Sequence, residues 1–237
     1  MIAFLCGDSH GQVRDLCRRL EAKADQIGRQ PDWVFHVGSF GCWPDPKHTD
    51  YATRRRGEPT DFHDLYLRGD GMPFPTLFAP GKHEDHRWLR SMHTKGYLEL
   101  LPNLHRMPNG FAWSIEQGTD RLSVLTLGGV FSPIAYNGGR AGGHFTKREV
   151  EIACSRGPVD LLLCTEAGYG ARVGRFASES AGINNVCFAT QPHLMAHGHY
   201  NVSRFYTHPI TETPTQSLAF REVRAYHWNN EEFQFIG

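Results

Sequence analysis

Five short polar clusters in this 237-residue chain carry side chains that bind ions or move protons, and each one follows an apolar run. Gly7-Asp8-Ser9-His10-Gly11 follows Ile2–Cys6, and Gly38-Ser39-Phe40-Gly41 follows Trp33–Val37. Gly81-Lys82-His83-Glu84 follows Thr76–Ala79, and Thr165-Glu166-Ala167 follows Leu161–Cys164. His197-Gly198-His199-Tyr200-Asn201 closes the series after Leu194–Ala196. Aspartate and imidazole coordinate metals and carry protons, and lysine attracts anions. A single Gly-Asp or Gly-His step is ordinary turn chemistry. Five in series are different, because loops at the carboxyl ends of several strands converge on one crevice in α/β sheets.

The elements that would hold these clusters are visible as periodicities. The apolar runs themselves read as strands, and Val13, Leu16, Leu20 and Ala24 fit one face of a helix over about Gln12–Ile27. A second helix is expected over about His83–His93, and a third opens at Thr146, where Thr-Lys-Arg-Glu fits a capping box. Further strands are expected at Leu104–Met107, Phe111–Glu116 and Leu122–Leu127. A β-rich tail from 203 to 237 contains Arg204–Tyr206, Ser217–Phe220, Ala225–Trp228 and Phe233–Phe235. Residues 43–75, rich in Pro, Arg, Asp and His, read as an insertion with a short helix near Asp61–Leu67. Ser132–Gly143 reads as a glycine-rich surface loop. With no convincing linker, the whole chain, 1–237, is expected to form one layered α/β domain.

Composition narrows the partners. Lys and Arg total 25 against 25 Asp and Glu, so nothing marks a strongly basic nucleic-acid binder. Arg54-Arg55-Arg56, flanked by acids, reads as a solvated stretch and gives nucleic acid only weak support. No apolar run approaches the length of a membrane span, and the start, MIAFLCGD, is too short for a signal-peptide core. Six scattered cysteines without CxxC spacing read as reduced, mostly buried thiols of a cytoplasmic protein.

In order and spacing the clusters resemble the calcineurin-like metallophosphoesterase superfamily, in its lariat-debranching-like branch, from Met1 to about Asn201. That family carries GDxHG, GDxxD, GNH[DE], a strand-end His and GHxH in this order. The resemblance implies a four-layer α/β/β/α sandwich with the site on strand-end loops. It also implies two divalent metals that share a bridging Asp, with the GNH histidine assisting the leaving group. Carried over by position, Asp8, His10 and His199 match metal ligands, and His83 matches the leaving-group histidine. Ser39 stands for the bridging Asp, Lys82 for the ligand Asn, Thr165 for the strand-end His and Asn201 for the second His of GHxH. The resemblance thus assigns Asp8, His10, Ser39, Lys82, His83, Thr165, His199 and Asn201 to one ligand-binding crevice, with Asp8, His10 and His199 as remnant metal positions.

These replacements oppose a dinuclear centre. A neutral serine bridges cations poorly, and lysine about 4 Å from a divalent ion would meet a repulsion of roughly 8 kcal/mol at an effective dielectric of about 20. Lys82 is therefore expected to stand in for the cations, pairing with Asp8 directly or through a water. The leading reading is a pseudoenzyme without a resident cofactor, binding a phosphate-containing ligand or a protein partner and not acting at a membrane. One rival is an active phosphodiesterase or phosphatase on nucleotides or RNA with an unconventional set of divalent metal (Mn, Fe, Zn or Mg). The other is a structural subunit of a larger assembly. Glu166 and His36 are expected to be structural.

Overall fold

The computed structural model describes residues 1–57, 60–92, 98–138 and 142–237. Two large sheets form its centre. The first contains β1 (Ile2–Cys6), β2 (Trp33–His36), β3 (Thr76–Phe78), β4 (Leu98–Leu101), β5 (Leu104–Arg106), β14 (Val223–Trp228) and β15 (Phe233–Phe235), in the order β15-β14-β1-β2-β3-β5-β4. The second contains β6 (Ala112–Gln117), β7 (Asp120–Leu127), β8 (Leu161–Cys164), β11 (Leu194–His197), β12 (Arg204–Thr207) and β13 (Pro214–Ser217), in the order β12-β13-β11-β8-β7-β6. The strands bearing the polar clusters are central and parallel: β1, β2 and β3 pair in one sheet, β8 and β11 in the other. A small hairpin, β9 (Arg172–Val173) and β10 (Phe176–Ala177), stands apart from both.

The strands that bear the polar clusters are mostly apolar because both of their faces are buried. Met1, Ala3 and Leu5 point inward with Leu161, Leu163, Leu194 and Ala196, filling the space between the sheets. The alternate residues Ile2, Phe4 and Cys6 point outward, where α1 (Val13–Ile27) covers them with Val13, Leu16, Leu20 and Ala24. On the far side Leu162, Cys164 and Met195 meet α6 (Lys147–Cys154) and α7 (Ala181–Thr190) through Val150, Ile183 and Val186. Period-two alternation in the strands thus produces the expected α/β/β/α order of layers.

The region 43–75 is tied to the scaffold. It holds α2 (Tyr51–Arg56) and α3 (Phe62–Arg68), and Phe62 and Leu65 join the core under α1. Trp43 and Phe62 are buried, whereas Tyr51 and Tyr66 are exposed. The Asp61 carboxylate accepts the Val13 N–H at 2.7 Å and so caps α1, which has no side-chain cap from its own N-cap residue. The arginine triplet lies in α2.

Several boundaries differ from the sequence reading. The helix expected from His83 is α4 (His86–Ser91), capped by Asp85, because residues 81–84 turn into the crevice; His93 lies outside the described residues. The strand expected at Ser217–Phe220 ends at Ser217, since the chain must turn there to bring Phe220 and Arg221 over the Asp8 loop. The glycine-rich loop opens with α5 (Pro133–Tyr136), and its residues 139–141 lie outside the described part. The capping box of Thr146 and Glu149 is present. All six cysteines are free, and no described helix is long and apolar enough to cross a membrane.

Candidate functional site

The β1 and β2 loops are woven together by backbone bonds. Ser9 N–H and His10 N–H both donate to the Ser39 carbonyl, at 3.2 and 2.9 Å, and Gly11 N–H donates to the Phe40 carbonyl at 2.7 Å. Gly81 brings the third loop against them: a Cβ there would lie 1.8 Å from the Ser39 nitrogen, so the approach requires glycine. Glu84 locks the arrangement, its buried carboxylate accepting the N–H groups of Phe40, Gly41, Cys42 and Gly81. Burial pushes its pKa up to about 7 in spite of these four bonds.

Five of the expected residues gather on this frame. The Asp8 carboxylate accepts the His199 N–H at 3.1 Å and stands 3.8 Å from His10 Nε2. The His10 ring is 4.8 Å from the His83 ring and 5.3 Å from Phe220. Burial lowers the His199 pKa, partly offset by Asp8, and the nearby charges of Lys82, His83 and His10 lower it further. Ser39 is the fifth. Two side-chain oxygens of this cluster have no partner, Asp8 Oδ1 and Ser39 Oγ, both in buried residues.

The other three expected residues are placed differently. Lys82 is exposed and forms no ion pair with Asp8. The expected direct replacement of the cations by its ammonium is therefore absent; its charge acts on His199 and Glu166 instead. Thr165 is fully buried, and its hydroxyl accepts the Gly129 N–H at 2.9 Å. Asn201 Oδ1 accepts the Phe220 N–H at 2.9 Å, which commits it to the tail loop. Glu166 bonds to Phe131 N–H and to the Ser180 hydroxyl, in keeping with a structural role. His36 Nδ1 accepts the Gly38 N–H at 3.2 Å, and its Nε2 faces the Ser9 hydroxyl at 3.1 Å.

Two participants had no motif to announce them. Asp50, from the region 43–75, lies 3.2 Å from His83 Nδ1. Burial raises its pKa, but hydrogen bonds from His83 and Thr53, with the His83 charge, outweigh this and hold the carboxyl well below the ordinary range. Arg221, whose N–H donates to the Asp8 carbonyl at 2.8 Å, stacks its guanidinium over Phe220 at 4.5 Å. Spacing in sequence could not reveal either, because both come from segments outside the strand-end series.

Among the described residues, no three His, Cys, Asp or Glu side chains converge as ligands for a metal ion. With a serine at the place that the family resemblance gives to the bridging aspartate, Thr165 and Asn201 bonded elsewhere and Lys82 nearby, the side chains present do not fit a pair of divalent ions.

No protein-family model matches the sequence, and no curated protein matches it. Solved structures do. TT1561 of Thermus thermophilus superposes with a TM-score of 0.59 at 13% identity, over 93% of this chain and 90% of the other. A proposed 5'-nucleotidase from Staphylococcus aureus gives 0.56 at 12%, over 100% of this chain and 52% of that one. GAP50, described as the anchor in the inner membrane complex of Plasmodium, gives 0.55 at 10%, over 100% of this chain and 84% of that one. The fold is that of the calcineurin-like metallophosphoesterases.

Proposed function

We propose that this protein is a metallophosphoesterase-fold pseudoenzyme whose crevice binds a phosphate-containing ligand. The observation that carries the reading is the serine at position 39, buried in the place of a bridging carboxylate, with no converging set of ligands around it among the described residues. His10, His83, His199 and Lys82 leave the crevice rich in donors suited to a phosphate group. A fold that serves both a proposed nucleotidase and an anchor protein does not decide activity, so the site must.

A second reading, an active phosphodiesterase or phosphatase using one divalent ion, is favoured by a single feature. Asp8 Oδ1 is buried without a partner, and a cation would satisfy it. Elemental analysis and turnover of bis-p-nitrophenyl phosphate with Mn²⁺ separate the two. The pseudoenzyme reading expects no turnover above that of the Asp8→Ala, His83→Ala protein. Metal-dependent turnover that disappears in that variant would overturn it. Restoring Ser39→Asp, Lys82→Asn and Asn201→His together is expected to raise metal content. Thr165→His is left out because Thr165 is fully buried and its hydroxyl packs against Gly38 and accepts the Gly129 N–H, so the change would disturb the loops as well as add a ligand.

A further inference from the structure

Beside the Gly81–Lys82 turn, and separate from the crevice, lies a second cavity of about 120 Å³. Its polar walls are Arg90 from α4, Arg106 at the end of β5, His86, His144, Asn109 and Glu149. Arg90 and Arg106 form no ion pair among the described residues. Arg106 donates Nη1 to the Leu89 carbonyl at 3.3 Å, while its Nε is buried without a partner. Burial works against the Arg106 charge, Cys42, Glu149 and Glu84 favour it, and Arg90 adds repulsion. Guanidinium groups nevertheless stay protonated in proteins, so two like charges face one small space.

The remaining walls relieve this only in part, through Glu149. Glu149, the one carboxylate, already accepts from Thr146 N–H at 2.7 Å, the Thr146 hydroxyl at 2.9 Å and Asn109 Nδ2 at 3.2 Å. Asn109 is held in turn by the Gly128 N–H and carbonyl, at 2.7 and 3.0 Å. Burial, with Arg90 and Arg106 behind it, lowers the His86 pKa to about 4, so that ring is neutral near pH 7. His144 commits Nδ1 to the Val130 carbonyl at 2.9 Å, which leaves Nε2 unassigned. The walls carry two guanidinium charges against one carboxylate that already accepts from three donors.

We infer that this cavity is a second anion-binding pocket, taking one tetrahedral oxyanion of phosphate size between Arg90 and Arg106. A bound oxyanion would accept from the orphaned Nε, neutralise the like-charged pair and fit a space of this volume. The inference does not depend on what the Asp8 crevice does.

Calorimetric titration with inorganic phosphate at fixed ionic strength, against a chloride control, tests it. The wild-type protein is expected to show a saturable site that Arg90→Gln and Arg106→Gln each weaken by about tenfold or more, the loss typical of one charged hydrogen-bonding group. That site should survive in a His83→Ala, His199→Ala protein, which removes donors of the crevice instead. Arg90 is exposed, so Arg90→Gln should fold even if Arg106→Gln does not. In phosphate-free buffer Arg90→Gln should raise the melting temperature by removing repulsion, and phosphate should then raise it less than in wild type. Absence of any saturable phosphate site, or a site lost with the two histidines and kept in Arg90→Gln, would overturn the inference.

Discussion

Around the first two strand ends one set of buried polar groups is bonded to completion, and an adjacent set is not. Ser9, His36 and Glu84 are buried and bonded, with donors matched to acceptors. Asp8 and Ser39 occupy the same loops, are also buried, and each keeps an oxygen without a partner. Buried polar atoms are normally satisfied, so an orphan marks strain, a catalytic role or a place for a water or an ion. The difference separates two parts of the crevice: the groups that shape the loops are fully bonded, and Asp8 and Ser39 each present an oxygen without a protein partner.

Removing part of the frame should therefore have the largest effect. Glu84→Ala leaves four backbone N–H groups buried without an acceptor. It should cost at least about 3 kcal/mol in urea unfolding, near the upper range of single substitutions. A loss below about 1 kcal/mol would mean that water replaces the carboxylate and that the loops are not held by it.

Acid should act on the same frame. Burial lowers the pKa of His36 and of His197 to about 4, against an ordinary 6.5. The unfolded chain then binds more protons than the folded one, so these groups favour folding fully above pH 6.5 and lose that contribution as pH falls toward 4. Glu84, raised to about 7, works in the opposite sense, because its folded form holds a proton that the unfolded chain releases above about 4.5. Two histidine protons against one carboxyl proton give a net fall of roughly 1.4 kcal/mol per pH unit between 6.5 and 4.5 from these three groups. His86, lowered to about 4 as well, acts in the same sense as the other two rings and steepens the fall. Urea midpoints across that range measure it, and a flat profile would contradict the assignment of neutral, buried rings.

How much of this was legible in the sequence depends on where a residue's partner lies. The strands carrying the clusters were readable because burial on both faces leaves a mostly apolar run, and α1 because its stripe recurs at helical spacing. α7 was not, since Ala181–Thr190 includes Gly182, two asparagines and β-branched residues and is buried on most sides, so it presents little periodic signal. In the crevice, the clusters could be found from their place after the apolar runs, and the individual residues from the family resemblance. Their partners could not: Asp50 reaches His83 from a segment with no motif, and Lys82 has the type to neutralise Asp8 but is exposed and makes no direct ion pair with it. Residue identity fixes what a group can do, and only packing decides what it meets.

The smallest expected effect is the sharpest test of the contrast, because it compares one residue type at two buried positions. Ser9 Oγ donates to the Phe40 carbonyl at 2.9 Å. Since His36 Nδ1 accepts from Gly38 N–H, the neutral ring carries its proton on Nε2 and donates it to Ser9 Oγ at 3.1 Å. Ser9→Ala removes both bonds and strands a buried ring N–H, while the Phe40 carbonyl keeps the Gly11 N–H, a loss of about 1–2 kcal/mol. Ser39 Oγ has no partner, so Ser39→Ala deletes an unsatisfied hydroxyl and leaves the Ser39 backbone, which accepts from Ser9 and His10, in place. It should be neutral, or stabilise by up to about 1 kcal/mol. The same substitution should weaken binding of any ligand that the hydroxyl contacts, the usual sign of a group retained for function at the expense of stability. If Ser39→Ala destabilises the protein as much as Ser9→Ala, the hydroxyl is part of the frame, and the division between the bonded frame and the unpartnered oxygens of the crevice fails at its central residue.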